Sequence, residues 1–281
     1  MFDTVSDMPP FRLYYWPNAN FGDALSPLVV QYVSGRRVVH TGPKRAQMFA
    51  IGSLLQGVAR HFVTRRPGVP PIFWGTGLLA PLHSLEFLEN IDIRLMRGPI
   101  GASIANLAMR DFGDPGLLAP EVIGAPAGRK DRIVVVPHHS QMETPDIGKL
   151  KECDPKIRVV DPRQPPDIVC REIAGAAHVF ASSLHGLIVA DAYGVANTWM
   201  TPGALGRLKY FDYAASVGRA LLYPVEIEDV ALLASRVPTG ELGYRDGIAR
   251  SRASLLDSFP AELKMNEAEG ETNEKSSETM Q

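Results

Sequence analysis

The stretch His178-Val179-Phe180-Ala181-Ser182-Ser183-Leu184-His185-Gly186-Leu187-Ile188-Val189-Ala190-Asp191-Ala192-Tyr193-Gly194 decides how this chain is read. Its opening residues form a short apolar run, the pattern of a buried strand. After Ala181 the spacing changes. Leu184, Leu187, Ile188 and Tyr193 recur at helical intervals, Ser182 or Ser183 can cap the first turn, and Gly194 can end the helix. A strand that feeds directly into a helix is the building unit of an α/β fold. At such a junction the first N–H groups of the helix lack partners and favour an anion. An exposed first turn here adds two hydroxyls and the imidazole of His185, the outline of a phosphate or carboxylate site. The structural alternative is that the serines only cap the helix and His185 packs in a core.

Composition limits what this stretch can belong to. The 281 residues suit two ordinary domains or one large α/β domain, and 45% apolar against 21% charged residues is enough material for sizeable cores. A net charge of -2 argues against nucleic-acid binding by bulk electrostatics and leaves room only for a local basic patch. Cys153 and Cys170 form no Cys-x-x-Cys pair, which argues against a disulfide framework or a structural zinc and for a reducing cytoplasm. No basic segment leads into an apolar one at the start, and the apolar region from 179 to 200 is broken by His185 and Asp191. Neither a secretory signal nor a spanning helix is expected.

Outward from the central stretch, the same unit recurs. Residues 11–16 predict a strand, Pro17-Asn18-Ala19-Asn20 a turn, and 21–33 a helix. Asn20, Gly22 and Asp23 stand at that junction, where glycine allows close backbone approach and Asp23 can reach a ligand hydroxyl; a capped helix start reads equally well. Residues 36–40, 48–52 and 69–74 predict strands, the last opening into Gly75-Thr76-Gly77, a phosphate cradle or a simple turn. The strand over 91–96 runs into Arg97-Gly98-Pro99 and a helix over 100–107. Arg97 then sits at a strand's carboxyl end, as an anion clamp or as one half of a surface ion pair. Asp114, in Gly113-Asp114-Pro115, is a ligand or a turn initiator.

Between 119 and 131 the composition shifts to Gly, Ala and Pro, placing a domain boundary there. Residues 132–136 follow as a β-branched strand ending in Pro137-His138-His139-Ser140. Adjacent histidines are expected to point in different directions, with His139 the one facing a ligand. A strand and turn are expected over 157–162, a further strand over 196–200, and helices over 166–173, 226–233 and 245–259. Lys209 is a candidate anion contact, or an idle surface lysine. Arg250 and Arg252 are read on a solvated face. From Glu262 on, six glutamates face two lysines with hardly any large apolar residue, the composition of a disordered acidic tail. The expected organisation is residues 1–124 and 125–261 as two Rossmann-like domains facing a cleft, followed by a tail over 262–281. In parallel sheets ligands bind at the strands' carboxyl ends, where all these polar clusters would gather.

Taken together, Asn20-Phe21-Gly22-Asp23, Arg97-Gly98-Pro99, Gly113-Asp114-Pro115, Pro137-His138-His139, Ser182-Ser183-Leu184-His185-Gly186 and Lys209-Tyr210-Phe211 resemble, in this order, the motifs of the polysaccharide pyruvyl transferase family. The similarity runs over about 11–213 and is nearest to bacterial succinoglycan-type members. It implies a double-Rossmann fold like that of glycosyltransferase-B enzymes, phosphoenolpyruvate as co-substrate, and a sugar of an exopolysaccharide or its lipid-linked precursor as acceptor. It calls for no cofactor and no metal. The chain departs from the pattern at Ser183, where many relatives carry arginine; Arg97, Arg171, Arg207 or Lys209 would have to take over that charge.

Forming a pyruvate ketal needs an acid, a base and anion clamps. On this resemblance His185 is the leading acid or phosphate contact, Asp23 the candidate base, and His139 a second proton-transfer candidate. Arg97 and Lys209 stabilise charge, while Ser182 and Ser183 seat the phosphate. Asn20, Gly22, Thr76 and Asp114 complete the substrate-binding set. Two other classes stay open: a nucleotide-sugar glycosyltransferase, which shares the architecture, and a non-catalytic glycan-binding assembly subunit, which the loss of arginine at Ser183 would mark. A lipid-linked acceptor implies transient work at the inner face of a membrane, where Arg60-His61 and Arg65-Arg66 can meet anionic groups or simply form a solvated loop. No motif specifies the sugar, the hydroxyl pair, the ketal stereochemistry or the oligomeric state.

Overall fold

The short apolar runs become strands, and the strands assemble into two parallel sheets. The computed structural model describes residues 9–65, 67–124, 128, 132–221, 223–238 and 240–265. In the first sheet β1 (Phe11–Tyr14), β2 (Val38–His40), β3 (Met48–Phe49), β4 (Ile72–Thr76) and β5 (Asp92–Met96) lie in the order β2-β1-β3-β4-β5. In the second, β6 (Ile133–Val136), β7 (Ile157–Val159), β8 (His178–Ala181) and β9 (Asn197–Trp199) lie in the order β7-β6-β8-β9. All pairings are parallel. Each sheet starts on an inner strand, adds its second strand on one side and its later strands on the other. Each therefore has a switch point, between β1 and β3 and between β6 and β8, where neighbouring crossovers diverge and leave a crevice.

The helices are α1 (Phe21–Ser34), α2 (Leu55–Ala59), α3 (Pro99–Ile104), α4 (Ala119–Ile123), α5 (Pro145–Cys153), α6 (Pro166–Ala174), α7 (Leu184–Ala192), α8 (Leu208–Val217), α9 (Val230–Leu233) and α10 (Arg245–Ser258). Alternate strand residues serve opposite faces. Ile72 and Trp74 join the central core while Phe73 joins the outer one of the first sheet; Val134 and Val136 face inward and Ile133 and Val135 outward in the second. The central core also takes in α1, α6 and α7. Helix α7 is buried from Leu184 to Asp191, so its apolar character runs all round instead of in a stripe. It lies close on its sheet because Gly186 has no side chain: a Cβ there would come within 2.9 Å of the Ala181 Cβ.

Helix α10 returns from the end of the chain to the first sheet. The indole Nε1–H of Trp74 donates to the Leu255 carbonyl at 3.0 Å, and Phe259 meets the Trp74 ring edge-on at 5.0 Å. Arg252, expected on a solvated face, instead pairs with Glu121 of α4. Asp191, near the carboxyl end of α7 and fully buried, ties four elements together. It accepts hydrogen bonds from Tyr213 Oη (2.8 Å), Tyr244 Oη (2.7 Å) and Asn197 Nδ2 (2.6 Å), and lies 3.4 Å from Arg219 Nη1.

Several expected boundaries shift. The strand expected over 48–52 stops at Phe49, the chain turning through Gly52 at φ +113°. Gly75 and Thr76 belong to β4 and form no cradle. Helix α5 has no counterpart among the expected elements, because Ile147 and Leu150 are its buried residues and the rest is polar. The acidic tail does not begin at Glu262: Ala261–Leu263 form a 3-10 turn and the Met265 N–H donates to the Ser34 carbonyl at 2.8 Å. Positions 266–281 lie outside the described residues, as do 125–127 and 129–131 of the expected boundary.

Replacing Asp191 while keeping Arg219 leaves a buried guanidinium without its carboxylate. Asp191→Leu is expected to lower stability by about 3–5 kcal/mol, read as a fall in the urea midpoint at unchanged m-value.

Candidate active site

The carboxyl ends of the two switch points meet. A cavity of about 360 Å³ is lined from the first sheet by Tyr14, Trp16, Asn20 and Asp23 after β1, by Gly52 and Ser53 after β3, and by Arg97 after β5. From the second it is lined by His138 and His139 after β6 and by Ser183, Leu184 and His185 after β8, with Lys209 of α8 closing one side. Its volume suits a small ligand. The strand-to-helix junctions of α1 and α7 touch directly. A Cβ on Gly22 would sit 2.0 Å from Nδ1 of His185, so the imidazole occupies the space that any larger residue would need. Gly22 was expected to admit a ligand to the backbone; it admits His185 instead.

Both junctions are capped as expected. Asn20 Oδ1 accepts the Gly22 N–H at 3.0 Å, and Ser183 Oγ accepts that of Gly186 at 3.4 Å. The first turn of α7 is not exposed, however: Ser182, Ser183 and His185 are all buried. Ser182 points away from the cavity, with Oγ accepting the His138 N–H at 2.9 Å and donating to Gln141 Oε1. It holds the β6 loop in place. Thr76 has a parallel task, donating to the Gly52 carbonyl at 2.7 Å and accepting the Leu54 N–H. Asp114 is also set back, fully buried behind His185. Thus Ser182, Thr76, Gly22 and Asp114 support the wall formed by Asn20, Asp23, Arg97, His139, Ser183, His185 and Lys209.

Arg97 is no surface residue. Its side chain is 1% exposed and lies flat over Gly77, where a Cβ would be 2.2 Å from Cζ. Nε donates to Asp212 Oδ2 at 3.2 Å, Nη1 to Ser53 Oγ at 2.9 Å and Nη2 to the Leu78 carbonyl at 3.0 Å. Asp212 in turn accepts the Gly101 N–H at 2.8 Å. The charge of Arg97 is therefore largely spoken for. Among the described residues Lys209 has no carboxylate within ion-pair distance. Of the four residues able to replace the arginine absent at 183, Arg97 and Lys209 line the cavity. Arg171 bonds the Ile123 carbonyl elsewhere, and Arg207 lies over the Trp199 ring.

Burial sets the protonation of the site. It raises Asp23 to about 7, with Lys209 pulling down and Asp114 pushing up. It lowers Lys209 to about 8, helped by Arg97 and opposed by Asp23. It raises Asp114 to about 6 and lowers His185 to about 3, the latter with the repulsion of Lys209 and Arg97. Around neutrality the cavity thus holds a neutral imidazole and two groups, Asp23 and Lys209, poised to change charge.

His138 and His139 do not diverge as expected. Their rings lie 4.1 Å apart and both reach the cavity, because His138 caps a 3-10 turn (His139–Gln141) that folds its neighbour back beside it. Burial and Lys209 lower both, His138 to about 4. Sequence reasoning missed His138, Ser53 and Asp212. Ser53 belongs to no motif, whereas Asp212 stands three residues after Lys209 on one helix, a spacing that puts both on the same face. Among the described residues no group of three or more His, Cys, Asp or Glu is placed to hold a metal ion.

Known proteins similar to this chain identify its family. The chain is 28% identical over 215 residues to the succinoglycan biosynthesis protein ExoV of Rhizobium meliloti (strain 1021), covering 73% of this chain and 64% of that one. It is 26% identical over 161 residues to the uncharacterized protein L143 of Acanthamoeba polyphaga mimivirus, covering 52% and 55%. The chain thus spans less than two thirds of the length of these curated relatives. The profile described as polysaccharide pyruvyl transferase matches residues 7–202, a segment that contains every strand of both sheets and ends just before Lys209. With the match covering well over half its length, the chain belongs to the polysaccharide pyruvyl transferase family.

Proposed function

We propose that this chain transfers the pyruvyl group of phosphoenolpyruvate to a sugar of an exopolysaccharide or its lipid-linked precursor, forming a pyruvate ketal and releasing phosphate. Family membership and the likeness to a succinoglycan biosynthesis protein support the polymer. The observation that carries the chemistry is the cavity itself, where an ammonium (Lys209) and a carboxylate (Asp23) with no ion pair among the described residues converge with an imidazole (His185) at the carboxyl ends of both sheets. In this reading the sheets are Rossmann-like domains, 1–124 and 125–261, in a glycosyltransferase-B-like arrangement, with α10 packed back on the first.

The donor's phosphate and carboxylate bind toward Lys209, the part of Arg97 that lines the cavity, and Ser183 at the start of α7. Burial is the main cause that depresses His185, and the ligand's negative charge offsets the two cations that add to it, so that the ring takes up a proton more readily. His185 gives that proton to the terminal carbon of the donor, making a methyl group and an electrophilic central carbon. A sugar hydroxyl attacks this carbon while Asp23 takes its proton. The carbon–oxygen bond to phosphate breaks, and a second hydroxyl closes the ketal and returns a proton to His185. The proton on Asp23 leaves with phosphate, so two hydroxyl protons end on the methyl group and the phosphate. His138 and His139 are placed to assist either transfer.

Phosphate release from phosphoenolpyruvate, measured with an exopolysaccharide-derived acceptor, tests the reading. His185→Ala is expected to lower turnover by about 10²- to 10⁴-fold, and Gly22→Ala by a comparable factor because it displaces the ring. Unchanged turnover in both variants would defeat it. Thermal stabilisation by a nucleotide sugar and none by phosphoenolpyruvate would point instead to a glycosyltransferase.

The pH profile follows from the same groups. Asp23 acts as a base only when ionised, above about 7, and Lys209 attracts the donor only when charged, below about 8. Because His185 must also be protonated and is held at about 3 in the free protein, kcat/KM is expected to run level up to about 7 and to fall above it, more steeply beyond about 8, with that steeper limb moving upward in Lys209→Arg.

No helix among the described residues is long and apolar enough to cross a membrane. Transient work at the cytoplasmic membrane face would use the exposed Arg60 and Arg65, beside Arg66, which lies outside the described residues. Co-sedimentation with anionic vesicles is expected to fall when both described arginines are changed to Glu, and equal binding would remove this part of the reading.

A further inference from the structure

The two nitrogens of the His185 ring meet different surroundings. Among the described residues Nε2 is buried and has no hydrogen-bond partner, and it faces Oδ2 of Asp114, likewise buried and without a hydrogen-bond partner, at 3.9 Å. The other oxygen of Asp114 is engaged, Oδ1 accepting the Gly116 N–H at 2.9 Å and opening the 3-10 turn Pro115–Leu118. The ring is held in this pose from several sides. Gly22 lies against Nδ1, the Phe21 ring meets the imidazole edge-on with centroids 6.5 Å apart, and a Cβ on Gly116 would be in contact with Cδ2 at 3.7 Å. Of the two ring nitrogens Nε2 is the one closed off, which leaves the Nδ1–Cε1 edge, beside Gly22, to line the cavity.

Buried polar atoms rarely remain unpaired in pairs that face one another. The separation is longer than a hydrogen bond, as is common for such contacts before a ligand is bound. We infer that Asp114 is the positioning residue of this site: its Oδ2 keeps the imidazole proton on Nε2, so that Nδ1 of His185 is the nitrogen that exchanges a proton with the ligand. When Nδ1 also becomes protonated, the carboxylate of Asp114 lies against the resulting imidazolium and stabilises it, while itself touching no ligand. The proton lost to the ligand comes from Nδ1 and returns to it, and the Nε2 proton stays in place throughout. Asp114 at about 6 and His185 at about 3 agree with a carboxylate facing a neutral ring at neutral pH. The inference rests on the transfer reading only for the identity of the ligand.

Long-range proton–nitrogen spectra of the full chain with ¹⁵N-labelled histidine test it, His185 being assigned by the signal lost in His185→Asn. The wild type at neutral pH is expected to show the Nε2–H tautomer. Asp114→Asn keeps an oxygen for the Gly116 cap but presents an amide N–H to Nε2, which should move the ring toward the Nδ1–H form. It should also lower kcat for phosphate release by about 10²- to 10⁴-fold with little change in KM for phosphoenolpyruvate. A merely structural role for Asp114 would leave the tautomer unmoved. An Nδ1–H tautomer in the wild type overturns the assignment, as does an Asp114→Asn protein with unchanged tautomer and kcat. If that variant fails to fold, the wild-type tautomer alone decides. An Nε2–H ring in a protein that releases no phosphate upholds the role of Asp114 and removes the transfer reading instead.

Discussion

The contact between Gly22 and His185 is the constraint on which the rest of the site depends. One residue opens the first turn of α1, the other the first turn of α7, and the imidazole fills the volume a side chain on Gly22 would claim. Two helix starts can approach this closely only if one of them carries no Cβ. Because each helix follows an inner strand at a switch point, their contact brings the two crevices into register and makes one cavity of them. The packing of α7 on its sheet through Gly186, and the knot of hydrogen bonds on Asp191 at its other end, keep that helix from sliding out of the contact.

Within the cavity the charges divide into closed and open sets. Arg97 and Asp212 are both buried, and each also bonds neutral groups, so the pair is compensated and rigid. Such a pair contributes geometry more than stability, since desolvation consumes much of its attraction. Asp23 and Lys209 sense one another without pairing, and burial brings their ionisation into the neutral range. His185 is emptied of charge by burial and by the two cations. A cavity so arranged is short of an anion. A ligand bringing negative charge would relieve the repulsion among Arg97, Lys209 and the imidazole together, which ties binding to the protonation of the ring.

Much of this was legible in the chain. The change from a continuous apolar run to helical spacing after Ala181 located β8 and α7, and the same change after Tyr14 located β1 and α1. Capping residues at Asn20 and Ser183 marked the junctions, because capping chemistry is local. The polar clusters that follow strands were brought together by the parallel topology, as the rule for such sheets requires. What misled was side-chain exposure and direction. Gly22, Thr76, Asp114 and Ser182 resemble ligand contacts by position, yet each spends its polar group or its missing side chain on holding a neighbour. His138 was set aside for its neighbour because adjacent residues diverge in a strand, whereas the 3-10 turn that begins there brings both rings to one side.

The sequence by itself determined the α/β class, the two strand-to-helix junctions and the family, since these rest on spacing, caps and short motifs read along the chain. Only the tertiary structure decided which of the marked residues face the cavity and which charges are already paired. Asp212 neutralises Arg97 across 115 positions, and Asp114 finds Nε2 of His185 through a fold that no local pattern encodes. Burial, and with it the protonation of each group, depends on everything packed around a side chain. That environment exists only once the two helix starts have met.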